Sequence, residues 1–296
     1  MTDLDTFVHL SDNEIARLVS EQGQQVCVFP ISGIQRWYTM EYGNQVNGDL
    51  ASQYMNEITK KLLDIYGLFF SQGIHTLVSP LHGLARDDGE QDSSLRRLEI
   101  LTTHTDFLYF YNKFNVRVHF FGDYRRQLAG TSYSYLSDQF ERLSRYTRKN
   151  TRHRLFYGLF TGNAAENIAD LSVRHFIRTG QVPDRHTLME LYYGEAIEAA
   201  DLFIGFDTFN PADYPLLDFA EENMYFSAAP SFYLTKEQIR RILHDRLHQR
   251  DRKELDDAQL SDTELAALKD FYRAQRNTTL GLGHMRPCTW IPSHQP

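Results

Sequence analysis

Val26-Cys27-Val28-Phe29-Pro30-Ile31-Ser32-Gly33-Ile34-Gln35-Arg36-Trp37 is the stretch on which the fold turns. Its first four residues form a short apolar run, and the turn after it leads toward a segment with helical spacing. The same alternation repeats along the chain. Ile74 to Val78, Val116 to Phe121, Leu155 to Phe160 and Leu202 to Ile204 are further short β-rich runs, with Met224-Tyr225-Phe226 as a sixth. Between the first two runs lies a helical face of Leu50, Tyr54, Ile58, Leu62, Ile65 and Phe69. Short apolar runs alternating with helices predict βαβ units: an α/β fold with a largely parallel sheet of about six strands, flanked by helices on both faces. Asp123 to Asn150 and Asn163 to Gly180 also read as helical, with weaker periodicity.

Farther along, Thr235 followed by Glu237 and Gln238 predicts a helix cap, with Ile239, Ile242, Leu243 and Leu247 as the apolar stripe behind it. The charges between Lys236 and Asp257 are then the solvated face of that helix. Another helix is expected from Asp262 to Arg273, and a loosely packed tail after Gly281. No repeat, Gly/Ser linker or low-complexity segment marks a boundary. One domain over residues 1–296 is therefore expected, with its C-terminal helices at about 235–275.

Composition narrows the function classes. The 296 residues are 42% hydrophobic and 24% charged, a globular balance with length enough to bury a core and a cavity. No run approaches the roughly 20 apolar residues that span a bilayer. The opening MTDLDTFVHLSDNE has neither a basic nor an apolar segment, so no secretory signal is expected. Two cysteines, Cys27 and Cys288, make neither a disulfide framework nor a four-thiolate zinc site, which points to a reducing, cytoplasmic location. A net charge of −8 argues against nucleic acid as partner, yet leaves room for a local positive pocket. For the 17 Tyr and 20 Phe, core filling is the first expectation and a large apolar pocket the second.

Most familiar motifs fail. Gly281-Leu282-Gly283-His284 lacks the strand, third glycine and helix of a dinucleotide loop. Asp87-Asp88-Gly89-Glu90-Gln91-Asp92 approaches an aspartate-rich, magnesium-binding terpene-synthase motif. Such motifs belong to all-helical folds, so an exposed acidic loop is expected instead. There is no His-Glu-x-x-His, Cys-x-x-Cys or Gly-x-Ser-x-Gly, and the 12 histidines are scattered. The stretch from Val28 to Trp37 is different. It lies at the C-terminal end of the first strand, where open α/β sheets place ligands. Backbone N–H groups around Gly33 and the forked cation of Arg36 suit phosphate oxygens. Taken alone, a buried Trp37 beside a surface Arg36 explains it better.

Context changes that balance. With Val116-Arg117-Val118-His119-Phe120-Phe121-Gly122-Asp123 and Asp201-Leu202-Phe203-Ile204-Gly205-Phe206, the turn resembles the cis-prenyltransferase (undecaprenyl diphosphate synthase-like) superfamily. That family has Asp-Gly-Asn-Gly-Arg-Trp after its first strand, a Val-Arg-x-x-x-x-Gly-Asp strand, and Asp-Leu-x-Ile-Arg-Thr-Gly-Gly near its C-terminus. The departures are informative. Ser32 replaces the metal-binding aspartate, Gly205 an arginine, and Pro211 to Asp213 an Arg-x-Ser. The lost arginines and serine hold isopentenyl diphosphate, so chain elongation is not expected. Over nearly its full length the chain is similar to the tuberculosinol and kolavelool synthase branch. Tyr192-Tyr193-Gly194-Glu195 and Ala229-Pro230-Ser231 add to that likeness, while Ser32 and Gln35 stand where the tuberculosinol enzyme has aspartate and arginine.

The resemblance implies a diterpene synthase. It would ionise a bicyclic diterpenyl diphosphate, kolavenyl diphosphate first, and add water to give a tertiary allylic alcohol plus diphosphate. It further implies a class II cyclase as source of the substrate, Mg²⁺ as cofactor and a homodimer. Prenyl transfer to a nucleoside or other acceptor, and a non-catalytic subunit of a prenyltransferase complex, stand as alternatives. Gly33, Ile34, Gln35 and Arg36 are the expected diphosphate-binding residues. Ser32, bonding a phosphate oxygen or a metal-bound water, and Tyr54, beside the allylic end, are the catalytic candidates; the metal ligands stay open. Arg125 and Arg126 read as surface charges, and Tyr193 and Glu195 as local helix polarity.

Overall fold

Six strands build one sheet: β1 (Val26–Val28), β2 (Thr76–Pro80), β3 (Val116–Phe121), β4 (His153–Gly158), β5 (Leu202–Phe206) and β6 (Asn223–Ser227). Their order is β3-β4-β2-β1-β5-β6, and every neighbouring pair is parallel. The computed structural model describes residues 3–43, 50–81, 91–206, 214–217, 222–250, 260–276, 278, 281–286 and 289–292. Parallel neighbours require crossovers, and helices supply them. α1 (Leu4–His9) and α2 (Asp12–Ser20) precede β1, while α3 (Ile34–Tyr42) and α4 (Leu50–Ser71) lead to β2. α5 (Gln91–Thr103) and α6 (Thr105–Lys113) lead to β3, and α7 (Tyr124–Leu128) and α8 (Tyr135–Tyr146) to β4. α9 (Ala164–Thr179) and α10 (Arg185–Tyr193) precede β5, and α11 (Lys236–His248) and α12 (Asp262–Gln275) follow β6.

The expected fold class is the observed one. Side chains alternate between the two faces of a strand. Leu77, Val118, Leu155, Tyr157 and Ile204 pack on one side among α4, α6 and α8; Val26, Val28, Val78, Phe156 and Phe203 pack on the other, beneath α10. The aromatics serve chiefly as core. Tyr66, Tyr111 and Tyr157 are fully buried, and their phenols are satisfied internally. Tyr66 meets Ser79 Oγ at 3.1 Å, Tyr111 meets the Tyr157 hydroxyl at 3.0 Å, and Tyr111 donates to the Leu101 carbonyl at 3.1 Å.

At the C-terminal end, Thr235 and Gln238 cap α11 reciprocally, as expected. α12 runs to Gln275 with no buried residue. In the tail after Gly281, β7 (Gly283–Arg286) and β8 (Thr289–Pro292) pair as an antiparallel hairpin, and β7 is exposed along its length, as a loosely packed tail would be. No helix among the described residues is long and apolar enough to cross a membrane. One feature of the topology positions a site. The chain fills the β2 side of β1 first and reaches the β5 side only after β4. Strand order thus reverses at β1, and the crevice beyond its C-terminal end is the favoured ligand position.

Candidate active site

Beyond β1 the chain stays extended to Ile31, whose N–H donates to the Pro80 carbonyl at 2.8 Å. Ser32 is then clasped by a distant part of the chain. Its N–H donates to Ser231 Oγ at 3.0 Å, and its carbonyl accepts the Ser231 N–H at 3.2 Å. The Ser231 hydroxyl in turn donates to the Pro30 carbonyl at 3.2 Å. Gly33 follows with a left-handed backbone, φ +73°, immediately before α3. A Cβ there would stand 3.0 Å from Phe206 Cε1 and 3.0 Å from Pro230 Cβ, so both dihedral and contact call for glycine. The Trp37 N–H donates to the Gly33 carbonyl at 2.9 Å, closing the first turn of α3. N–H groups of that turn point out of the helix end, where the helix dipole is positive and no acidic residue competes. Such an end suits a diphosphate.

The structure gathers Ser32, Gly33, Ile34, Gln35 and Arg36 into this single turn. Arg36 brings its guanidinium to 5.9 Å from the Phe206 ring centroid. Ile34 contributes through its backbone, because its side chain is buried. Tyr54 is half-buried on α4, its ring edge-on to Tyr38 of α3 at 4.6 Å. It therefore faces α3 instead of pointing straight at the sheet. Tyr38 also meets Tyr42 at 5.0 Å, and Trp37 meets Phe232 at 5.0 Å, so an aromatic wall continues from the turn at Ser32 to Arg36. Behind Ile34, an apolar cavity lies between Met55, Ile58 and Leu62 of α4, Leu81, and Ile100 and Leu101 of α5. It holds about 10 Å³, room for roughly one water.

The donor set among the described residues does not fit a protein-held Mg²⁺. Among the described residues no three His, Cys, Asp or Glu side chains converge. Ser32 offers a neutral hydroxyl where the resemblance implied a carboxylate, and Mg²⁺ sites draw on carboxylates. Asp87 to Glu90, and Pro211 to Asp213, lie outside the described residues.

Two other groups of residues behave differently. Arg125 and Arg126 are surface charges as expected, held by Glu141 at 3.3 Å and by Asp123 at 2.6 Å. Glu195 is more than local helix polarity. Strand alternation sets Arg117, His119 and Arg154 on one face of the sheet, with Arg117 opposite Arg154 in register. Glu195 lies 2.8 Å from Arg117, 3.1 Å from His119 and 3.3 Å from Arg154. The His119 contact, then its charge and those of both arginines, pull Glu195 down to about 2 against the cost of burial. Tyr193 is buried, with its hydroxyl donating to the Pro215 carbonyl at 2.7 Å.

Comparison with known proteins bears on the chemistry. No family model matches the chain. It is 34% identical over 290 residues to a tuberculosinyl adenosine transferase of Mycobacterium tuberculosis (strain CDC 1551 / Oshkosh), covering 96% of this chain and 96% of that protein. Two solved structures share the fold. One is a probable undecaprenyl diphosphate synthase from Campylobacter jejuni, with 16% identity, a TM-score of 0.53, and coverage of 78% of this chain and 97% of that one. The other is lavandulyl diphosphate synthase from Lavandula x intermedia in complex with dimethylallyl diphosphate, with 15% identity, a TM-score of 0.52, and coverage of 76% and 95%. At such identities they speak to architecture alone. The transferase overturns the expectation that water takes the allylic cation and an alcohol leaves. Hydrolysis and transfer share the same leaving group, so the turn at Ser32 to Arg36 carries no information about the acceptor.

Proposed function

The chain belongs to the tuberculosinyl adenosine transferase family, within the cis-prenyltransferase superfamily, and from that premise we propose that it transfers a diterpenyl group from its diphosphate to a nucleoside of the adenosine type. The observation that carries the reading is the end-to-end likeness to a transferase, 34% identity over 96% of the chain. The turn after β1 supplies the chemistry. The allylic C–O bond breaks and its electron pair leaves with diphosphate. First-turn N–H groups of α3 around Gly33, Ile34 and Gln35, the Ser32 hydroxyl and the Arg36 guanidinium take up the developing negative charge. Tyr54, with Tyr38 against it, flanks the cationic carbon, where aromatic faces stabilise positive charge. A lone pair on a base nitrogen forms the C–N bond, and the adduct retains the positive charge of the cation. Mg²⁺ carried with the diphosphate substrate would offset part of the leaving group's charge.

The hydrocarbon enters between α3, α4 and α5, at the apolar cavity behind Ile34. Pockets for ligands of this size run to several hundred Å³, so α4 and α5 part when the donor binds. On this reading a class II cyclase supplies the bicyclic donor, and the enzyme works as a homodimer. The test is incubation of the purified protein with tuberculosinyl, kolavenyl and geranylgeranyl diphosphates, each with adenosine and Mg²⁺, followed by liquid chromatography–mass spectrometry. A diterpenyl-adenosine conjugate from a bicyclic donor is expected. Absence of any conjugate from a folded sample would overturn the reading.

A further inference from the structure

We propose that Phe206 is the platform on which the acceptor's nucleobase stacks; this rests on the transfer reading above. Phe206 closes β5, directly across the strand-order reversal from the turn after β1. Its ring is half-buried, and one edge packs against Gly33, the residue that opens the diphosphate turn. The Arg36 guanidinium stands 5.9 Å from the ring centroid. A planar group stacked on Phe206 would therefore lie one ring's width from the departing diphosphate, close to the carbon under attack.

At the end of β5 the chain presents an aromatic ring, a surface suited to a planar ligand. At the preceding residue, Gly205, a Cβ would lie 2.8 Å from both Phe203 Cε1 and Phe226 Cδ1. Those rings lie on the sheet face opposite Phe206 and leave no room for a side chain at position 205. Among the described residues, the stretch from Ser227 to Pro230 at the end of β6 carries no charged side chain. A nucleobase needs only a π face, and stacking on an aromatic side chain changes affinity by about tenfold or more.

The experiment measures separate KM values for adenosine and for the diterpenyl diphosphate in the wild type, Phe206→Ala, Phe206→Leu and Phe206→Tyr proteins. Circular dichroism confirms that each is folded, and Phe206→Leu retains bulk against Gly33 without a π face. Phe206→Ala and Phe206→Leu are expected to raise the adenosine KM about tenfold or more and to hold the donor KM within about twofold. Phe206→Tyr is expected to keep the adenosine KM within about threefold. An unchanged adenosine KM in Phe206→Ala, or full rescue by Phe206→Leu, would overturn the proposal while leaving transfer intact. A parallel rise of both KM values would do the same, assigning Phe206 to support of the diphosphate turn. A wild type that makes no conjugate would overturn the transfer reading, and this proposal with it.

Discussion

Gly33 answers two demands at once, a left-handed backbone at φ +73° and close packing against Phe206 and Pro230. Gly33→Ala is expected to cost about 1–3 kcal/mol, read as a lowered Tm, and to raise the donor KM as the helix end shifts. Wild-type Tm and KM in that variant would contradict the account of the turn. Arg36 is the complementary case. Its guanidinium lies at the site and serves charge, so Arg36→Ala is expected to reduce kcat/KM about 10²- to 10³-fold with little change in Tm. Full activity in a folded Arg36→Ala protein would remove the diphosphate from this turn. Ser32 to Arg36 could be singled out from the sequence because they are five consecutive residues after one strand, where the proposed phosphate contacts are local. Ser231 was not legible as their clamp, since the bond from the Ser32 N–H to its hydroxyl joins positions 199 apart. Phe206 belonged to a recognisable motif, yet only the pairing of β5 with β1 brings its ring to Gly33.

At the scale of elements, period-2 alternation has an electrostatic consequence. β3 and β4 turn Arg117, His119 and Arg154 to the same face, and the residues after α10 bring Glu195 between them. Like charges opposite each other on neighbouring strands destabilise a sheet, so this carboxylate holds the strands and α10 together. Glu195 is depressed to about 2 in the folded protein, first by the His119 contact. Its contribution is therefore fully present above the ordinary carboxylate value of about 4.3, and is lost as pH falls from there through about 2. Glu195→Gln is expected to cost about 1–2 kcal/mol at neutral pH and to flatten the acid side of a Tm-against-pH curve. Identical acid slopes in variant and wild type would show that the carboxylate does not stabilise the fold. In the sequence Glu195 reads as helix polarity because nothing local reveals which strand residues share its face. The C-terminal hairpin was missed for a related reason: its four-residue strands, β7 and β8, are too short to display a period.

For the whole molecule, the βα rhythm announced a parallel sheet because each short apolar run is followed by a helical one. The order β3-β4-β2-β1-β5-β6 could not be read that way, since it is fixed by pairings between distant segments. That order places the turn at Ser32 to Arg36 and Phe206 on either side of one crevice. The identity of the acceptor was hidden for a chemical reason. Water and nucleoside consume the same diphosphate, so residues that bind the leaving group are silent about what replaces it. The most direct measurement is therefore the initial rate of diphosphate release at saturating donor while adenosine is titrated from zero, with conjugate quantified in the same samples. The account predicts a rate that rises with adenosine to a plateau, and one conjugate formed for each diphosphate released. A rate independent of adenosine, with free diterpene alcohol as the product, would contradict it.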